Sequence, residues 1–118
     1  MNILVVEDNQ DTRELLVLHL TLQGHEVSGA EDGQEGLDRI KEDRPDLILT
    51  DLSMPRLNGV ELIRRVRGDS GLAGMKIIAI TAHGSGDANE ARRAGADIVL
   101  HKPTPLDSLA DIVKQMTK

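Results

Sequence analysis

The feature that most constrains the fold is a regular alternation. Short apolar runs of β-forming residues are separated by segments whose apolar residues recur every three or four positions, and five such pairs fit along the 118 residues. This is the pattern of βα units laid around a central parallel sheet. Strands are predicted over 3–6, 26–29, 47–50, 77–80 and 98–100. Three of them are continuous apolar runs, as strands covered by helices on both faces require, whereas 26–29 is weakly apolar and is predicted to lie at an edge. Helices are predicted over 11–23, 34–43, 58–67, 87–94 and 106–116. The first carries leucines at 15, 16, 18, 20 and 22 and ends at Gly24, as a glycine C-cap would end it. The fourth offers only Ala88, Ala91 and Ala94 on its apolar side, buries little area per residue, and is expected to be the loosest.

An apolar fraction of 39% and a charged fraction of 29% are those of a globular chain of one domain, residues 1–118, with no linker or internal repeat. No apolar run approaches the roughly 18 residues of a membrane span. "MNILVVED" turns acidic too early for an export signal, so a soluble, cytoplasmic protein without membrane contact is expected. The lack of cysteine excludes disulfides, thiolate nucleophiles and cysteine-ligated zinc. A net charge of −6 argues against direct nucleic-acid binding, so Arg64, Arg65, Arg67, Arg92 and Arg93 are expected on solvated or partner-facing helix surfaces. Without Phe, Tyr or Trp, the core must be built from Leu, Ile, Val, Met and Ala.

In an open parallel sheet the residues at the carboxyl ends of the strands gather on one edge, where ligands bind. The first strand delivers Glu7 and Asp8 there, the third Asp51, the fourth Thr81, and the fifth is followed by His101 and Lys102. Crowded carboxylates repel unless a cation sits among them. Oxygen ligands of this type suit Mg²⁺ or Mn²⁺. A hard divalent ion implies phosphoryl chemistry, in which Asp51 would be the nucleophile and Lys102 and the Thr81 hydroxyl would meet the phosphoryl oxygens.

The ordered set "VVEDN", "LILTDLSMPRLNGVEL", "IIAITAH" and "GADIVLHKP" resembles the motifs of the response-regulator receiver domain of two-component systems, chemotaxis regulators among them, over essentially the whole chain. The resemblance implies a doubly wound, flavodoxin-like (βα)5 fold with strand order 2-1-3-4-5. It implies that Asp51 accepts a phosphoryl group from the phosphohistidine of a sensor histidine kinase or phosphotransfer protein. Asp8, Asp51 and the main-chain carbonyl of Ser53 would bind Mg²⁺, with Glu7 acting through a water. Thr81, with Ala82 beside it, and Lys102 would contact phosphate; Ser53 and His83 would tune loss of the phosphoryl group. Pro55, Gly59 and Pro103 would be structural, Gly59 permitting a tight turn and the Lys102–Pro103 bond being cis. The chain would be a signalling switch, catalysing only its own phosphorylation and dephosphorylation, that controls an output domain or target protein.

Each residue alone has a plainer reading. Glu7 and Asp8 suit a helix start, Asp51 a turn, Lys102 solvent, and Thr81 any strand; His19 and His25 lack metal-ligand spacing. Two rival functions differ by sequence. A haloacid-dehalogenase-like phosphatase would need a D-x-D motif after the first strand, and a pseudo-receiver that ignores phosphate would ordinarily lack the aspartate or the lysine. The chain departs from the family where an aromatic residue usually precedes the lysine by three positions. Val99 stands there, Thr104 replaces the aromatic after Lys-Pro, and the segment from 81 to 95 is about one residue short. The expectation is that Thr81 and the loop "AHGSGD" carry the response through backbone ordering. Dimerisation through helix four, strand five and helix five is a family habit that the altered face leaves open.

Overall fold

In the computed structural model, which describes residues 1–54, 56–72, 74–82 and 86–116, the alternation becomes β1 (Asn2–Val6), α1 (Gln10–Leu22), β2 (Glu26–Ala30), α2 (Gly33–Asp43), β3 (Leu47–Asp51), α3 (Gly59–Gly68), β4 (Lys76–Thr81), α4 (Asp87–Ala94), β5 (Ile98–His101) and α5 (Leu106–Met116). All pairings are parallel and the order is β2-β1-β3-β4-β5. The weak second strand does lie at an edge. No predicted end is off by more than one residue, and the differences matter at the carboxyl edge. Asp51, Thr81 and His101 close their strands instead of following them, with Asp51 in register with Ile80 and Thr81 with His101.

Alternation along the strands divides the core in two. Leu4, Val6, Ile48, Ile77 and Ala79 face α2, α3 and α4, where they meet Leu37, Ile40, Leu62, Ile63, Val66 and Ala91. Ile3, Val5, Leu47, Leu49, Ile78 and Ile80 face α1 and α5, against Leu16, Leu20, Leu109 and Val113. This period of two under a layer of helices on each face is what fixes the register, because a slip of one residue would exchange the two half-cores. Each fully buried Leu or Ile contributes on the order of 1.5–3 kcal/mol.

The helices start where side chains can cap them. Asn9, Asp32 and Asn58 accept from the amides of Thr12, Glu35 and Glu61 at 2.9, 2.8 and 3.0 Å, each cap being worth about 1 kcal/mol. Because Asn9 caps α1, Glu7 and Asp8 stand outside that helix. Gln23 ends α1 and Gly24, at φ 99, supplies the left-handed residue that follows it.

One expectation is overturned. Arg64, Arg65, Arg92 and Arg93 are exposed, but Arg67 folds back. Its guanidinium donates to the carbonyl of Gly95 at 2.9 Å, to that of Met75 at 2.5 Å and to Asp97 Oδ2 at 2.9 Å. Its planar fork can meet several acceptors at once, and these lie on the segments entering β4 and β5.

Candidate functional site

Three backbone hydrogen bonds place the acids and the lysine. The Glu7 amide donates to the Ala30 carbonyl at 3.0 Å and the Leu52 amide to the Ile80 carbonyl at 3.0 Å, so the chain leaving β1 and β3 is still pinned to the neighbouring strand. The Lys102 amide does the same with the Thr81 carbonyl at 2.8 Å. The Arg13 guanidinium donates to the Glu7 carbonyl at 2.8 Å, holding the β1 exit from the side of α1.

On this edge Glu7, Asp8 and Asp51 present carboxylate oxygens within 4.8 Å of one another, the one such acidic group among the described residues. Glu7 and Asp51 are buried and Asp8 is exposed. Lys102 Nζ, on a half-exposed side chain, donates to Asp51 Oδ2 at 2.8 Å. The Ser53 amide donates to Asp51 Oδ1 at 3.2 Å, so Asp51 also holds the turn after it, as its plain reading expects. Thr81 is 1% exposed beside it in the sheet order, while Ser53 and Ala82 are exposed.

Burial, a hydrogen bond with Asp8 and the charge of Asp51 push Glu7 up to about 7, against the opposing pull of the Asn9 amide and Lys102. Burial works against the Lys102 ammonium, but its hydrogen bond to Asp51 and the charges of Asp51, Glu7 and Asp8 outweigh this and raise its pKa. One lysine does not neutralise three carboxylates. The donor set, hard oxygens already repelling one another, fits a divalent cation of the Mg²⁺ type. The carboxylates of Glu7, Asp8 and Asp51 could hold it; the resemblance adds the Ser53 carbonyl to that set and routes Glu7 through a water.

Gly59 opens α3 so close to the site that a Cβ there would lie 2.4 Å from the Asp51 carbonyl oxygen. The Lys102–Pro103 bond is cis. Val99 is half-buried against the α3/α4 half-core. Pro55 and His83 lie outside the described residues, as do positions 84 and 85 of the "AHGSGD" loop.

Two features escaped the sequence reading. The five leucines of α1 divide between two faces: Leu16 and Leu20 are buried, whereas Leu15, Leu18 and Leu22 are 51%, 56% and 74% exposed. Their spacing of three and four was readable as a second face. A hollow of about 390 Å³, lined by Leu15, Leu16, Leu106 and Leu109, opens beside Glu7 and Lys102. The second is the ion pair of buried Asp32 with Arg56. Asp32 with Glu35 carried a capping signal, but no local pattern marks Arg56.

Residues 3–114 match the family described as response regulator receiver domain. Response regulator MprA of Mycobacterium avium is 43% identical over 112 residues, and that of Mycobacterium tuberculosis 42% over 110; each alignment covers 92% of this chain and 47% of the relative. The chain thus spans about half the length of these curated relatives. Among solved structures, the receiver domain of a signal transduction histidine kinase from Syntrophus aciditrophicus has a TM-score of 0.91 at 31% identity, covering 98% of this chain and 88% of that one. Chemotaxis response regulator CheY4 of Vibrio cholerae scores 0.90 at 30% identity, covering 97% and 96%. The phosphatase alternative is thereby set aside. Among the described residues no helix is long and apolar enough to cross a membrane. In fold, in motif order and over nearly its whole length, the chain belongs to the response regulator receiver domain family of two-component signalling.

Proposed function

We propose that this chain is a phosphorylation-controlled switch whose phosphoacceptor is Asp51. The observation that carries the reading is the meeting of Glu7, Asp8 and Asp51 within 4.8 Å, with Lys102 Nζ at 2.8 Å from Asp51, on the carboxyl edge of the sheet. An Asp51 carboxylate oxygen bonds to phosphorus as the P–N bond of a donor phosphohistidine breaks, and the departing imidazole nitrogen keeps the electron pair and takes a proton from solvent. The sheet edge fixes Asp51 for in-line attack, Lys102 exchanges Asp51 for a phosphoryl oxygen, and Thr81 offers its hydroxyl. A bound Mg²⁺ would offset the charge of the carboxylates and of the phosphoryl oxygens.

The phosphodonor is a sensor histidine kinase or phosphotransfer protein, which docks on the exposed leucine face of α1 beside the hollow that opens at Glu7 and Lys102. The chain catalyses nothing beyond the gain and loss of its own phosphoryl group. With Val99 in place of an aromatic, the state of Asp51 passes through Thr81 and the loop after β4 to the α4, β5 and α5 face, and from there to an output domain or separate target. Intact mass after incubation with acetyl phosphate tests the reading. A single phosphoryl adduct that needs Mg²⁺ and is lost in Asp51→Asn supports it. An adduct that persists in Asp51→Asn overturns the assignment, and no adduct from either acetyl phosphate or a phosphohistidine donor makes the chain a pseudo-receiver.

A further inference from the structure

Between β3 and α3, Ser53 is tied to the acidic cluster by its amide on Asp51 Oδ1, and the residues around it have further ties outside that cluster. The ends of this loop are closed by the Leu52 amide on the Ile80 carbonyl at 3.0 Å and the Gly59 amide on the Leu52 carbonyl at 3.1 Å. Towards its tip it lies on the start of α2 with no clearance: a Cβ on Gly33 would be 1.9 Å from the Leu57 carbonyl oxygen. There the Arg56 guanidinium meets Asp32 Oδ2, while Asp32 Oδ1 caps α2 through the Glu35 amide at 2.8 Å. Arg56 holds a left-handed backbone at φ 62, a conformation that a non-glycine residue keeps only when its surroundings impose it. Asp32 is buried, its side chain 6% exposed, so its carboxylate requires partners. The Glu35 amide, and after it Arg56, hold its pKa below the usual carboxylate range against the effect of burial.

We propose that the Asp32–Arg56 pair is a positioning device for the divalent-cation site, tying the β3–α3 loop to α2 so that the Ser53 carbonyl is already presented to the ion. The proposal rests on the phosphorylation reading above only for the use to which the site is put. Neither residue belongs to the acidic cluster; both act through the loop.

The test is Mg²⁺ titration, followed by amide chemical shifts, of the wild type, Asp32→Asn, Arg56→Gly and the double variant. Asparagine keeps the helix cap, and glycine removes the side chain while accepting the left-handed backbone. Each single variant is expected to bind Mg²⁺ about tenfold more weakly, the lower end of what outer-shell partners contribute, with the double variant no worse than either. Through-space charge would act differently. Loss of the Arg56 cation would tighten Mg²⁺ binding and loss of the Asp32 carboxylate would loosen it, so weakening in both distinguishes a tie from a field. A purely structural role would lower the melting temperature and leave affinity well below it unchanged. Binding by folded Arg56→Gly as tight as wild type, or tighter, overturns the proposal. Hydrogen exchange without metal provides a separate arm: the Ser53 and Gly59 amides should exchange faster in both variants, and unchanged protection overturns the tie. If wild type fails to bind Mg²⁺, the phosphorylation reading fails while the exchange result still decides whether the pair holds the loop.

Discussion

Replacing Glu7 by glutamine keeps the shape of a buried side chain and removes its charge, and the consequence depends on pH with a sign that the structure fixes. Burial and the neighbouring acids raise Glu7 from 4.5 to about 7 in the folded chain. Between these values the folded state holds a proton that the unfolded state has released, so the contribution is complete below pH 4.5 and is lost as pH rises through 7. At about 1.4 kcal/mol per pH unit, the wild type should lose roughly 2–3 kcal/mol of stability between pH 5 and pH 8 that Glu7→Gln keeps. Against a total stability of roughly 5–15 kcal/mol this is large. It should appear as a shift of order 1 M in the urea midpoint, read by circular dichroism with a chelator present because the chain has no tryptophan or tyrosine. Saturating Mg²⁺ at pH 8 should then restore more stability to the wild type than to the variant, since the ion offsets the repulsion that the substitution removes. Equal pH dependence of the two proteins without metal would refute the reasoning, as it would mean that Glu7 is not held protonated by its neighbours.

Arg67→Ala removes donors to Gly95, Met75 and Asp97, acceptors on the segments entering β4 and β5, and should lower stability by about 2–3 kcal/mol in urea unfolding; a loss under 0.5 kcal/mol would mean that water replaces it freely. Leu18→Gln with Leu22→Gln alters only exposed positions. Stability should stay within about 0.5 kcal/mol and labelling by acetyl phosphate should be unchanged, whereas transfer from a phosphohistidine protein should slow about tenfold or more; equal transfer rates would move donor docking off α1.

The carboxyl-edge residues were legible because one rule places them: strands that all run the same way bring their ends together. Glu7, Asp8, Asp51, Thr81 and Lys102 could therefore be assembled from four separate segments without knowing a single distance. The Arg67 contacts were not legible, because an arginine on an amphipathic helix has the same local pattern whether its guanidinium reaches water or three acceptors in other segments. Asp32 could be recognised as a cap, but its second oxygen is satisfied from 24 positions away, and nothing near either residue records the other.

By itself the sequence determined the periodicities, and with them the order and type of all ten elements, the parallel sheet, its weak edge strand and the acidic edge. These follow from local geometry, since side-chain direction repeats every two residues in a strand and every 3.6 in a helix. Only the tertiary structure decided which of the α1 leucines stay in water, that the Glu7 carboxyl is pushed above the usual carboxylate range, and that Arg56 is drawn onto Asp32. Each of these depends on what surrounds a group in space, because burial and Coulomb interaction act across distances that chain separation does not encode.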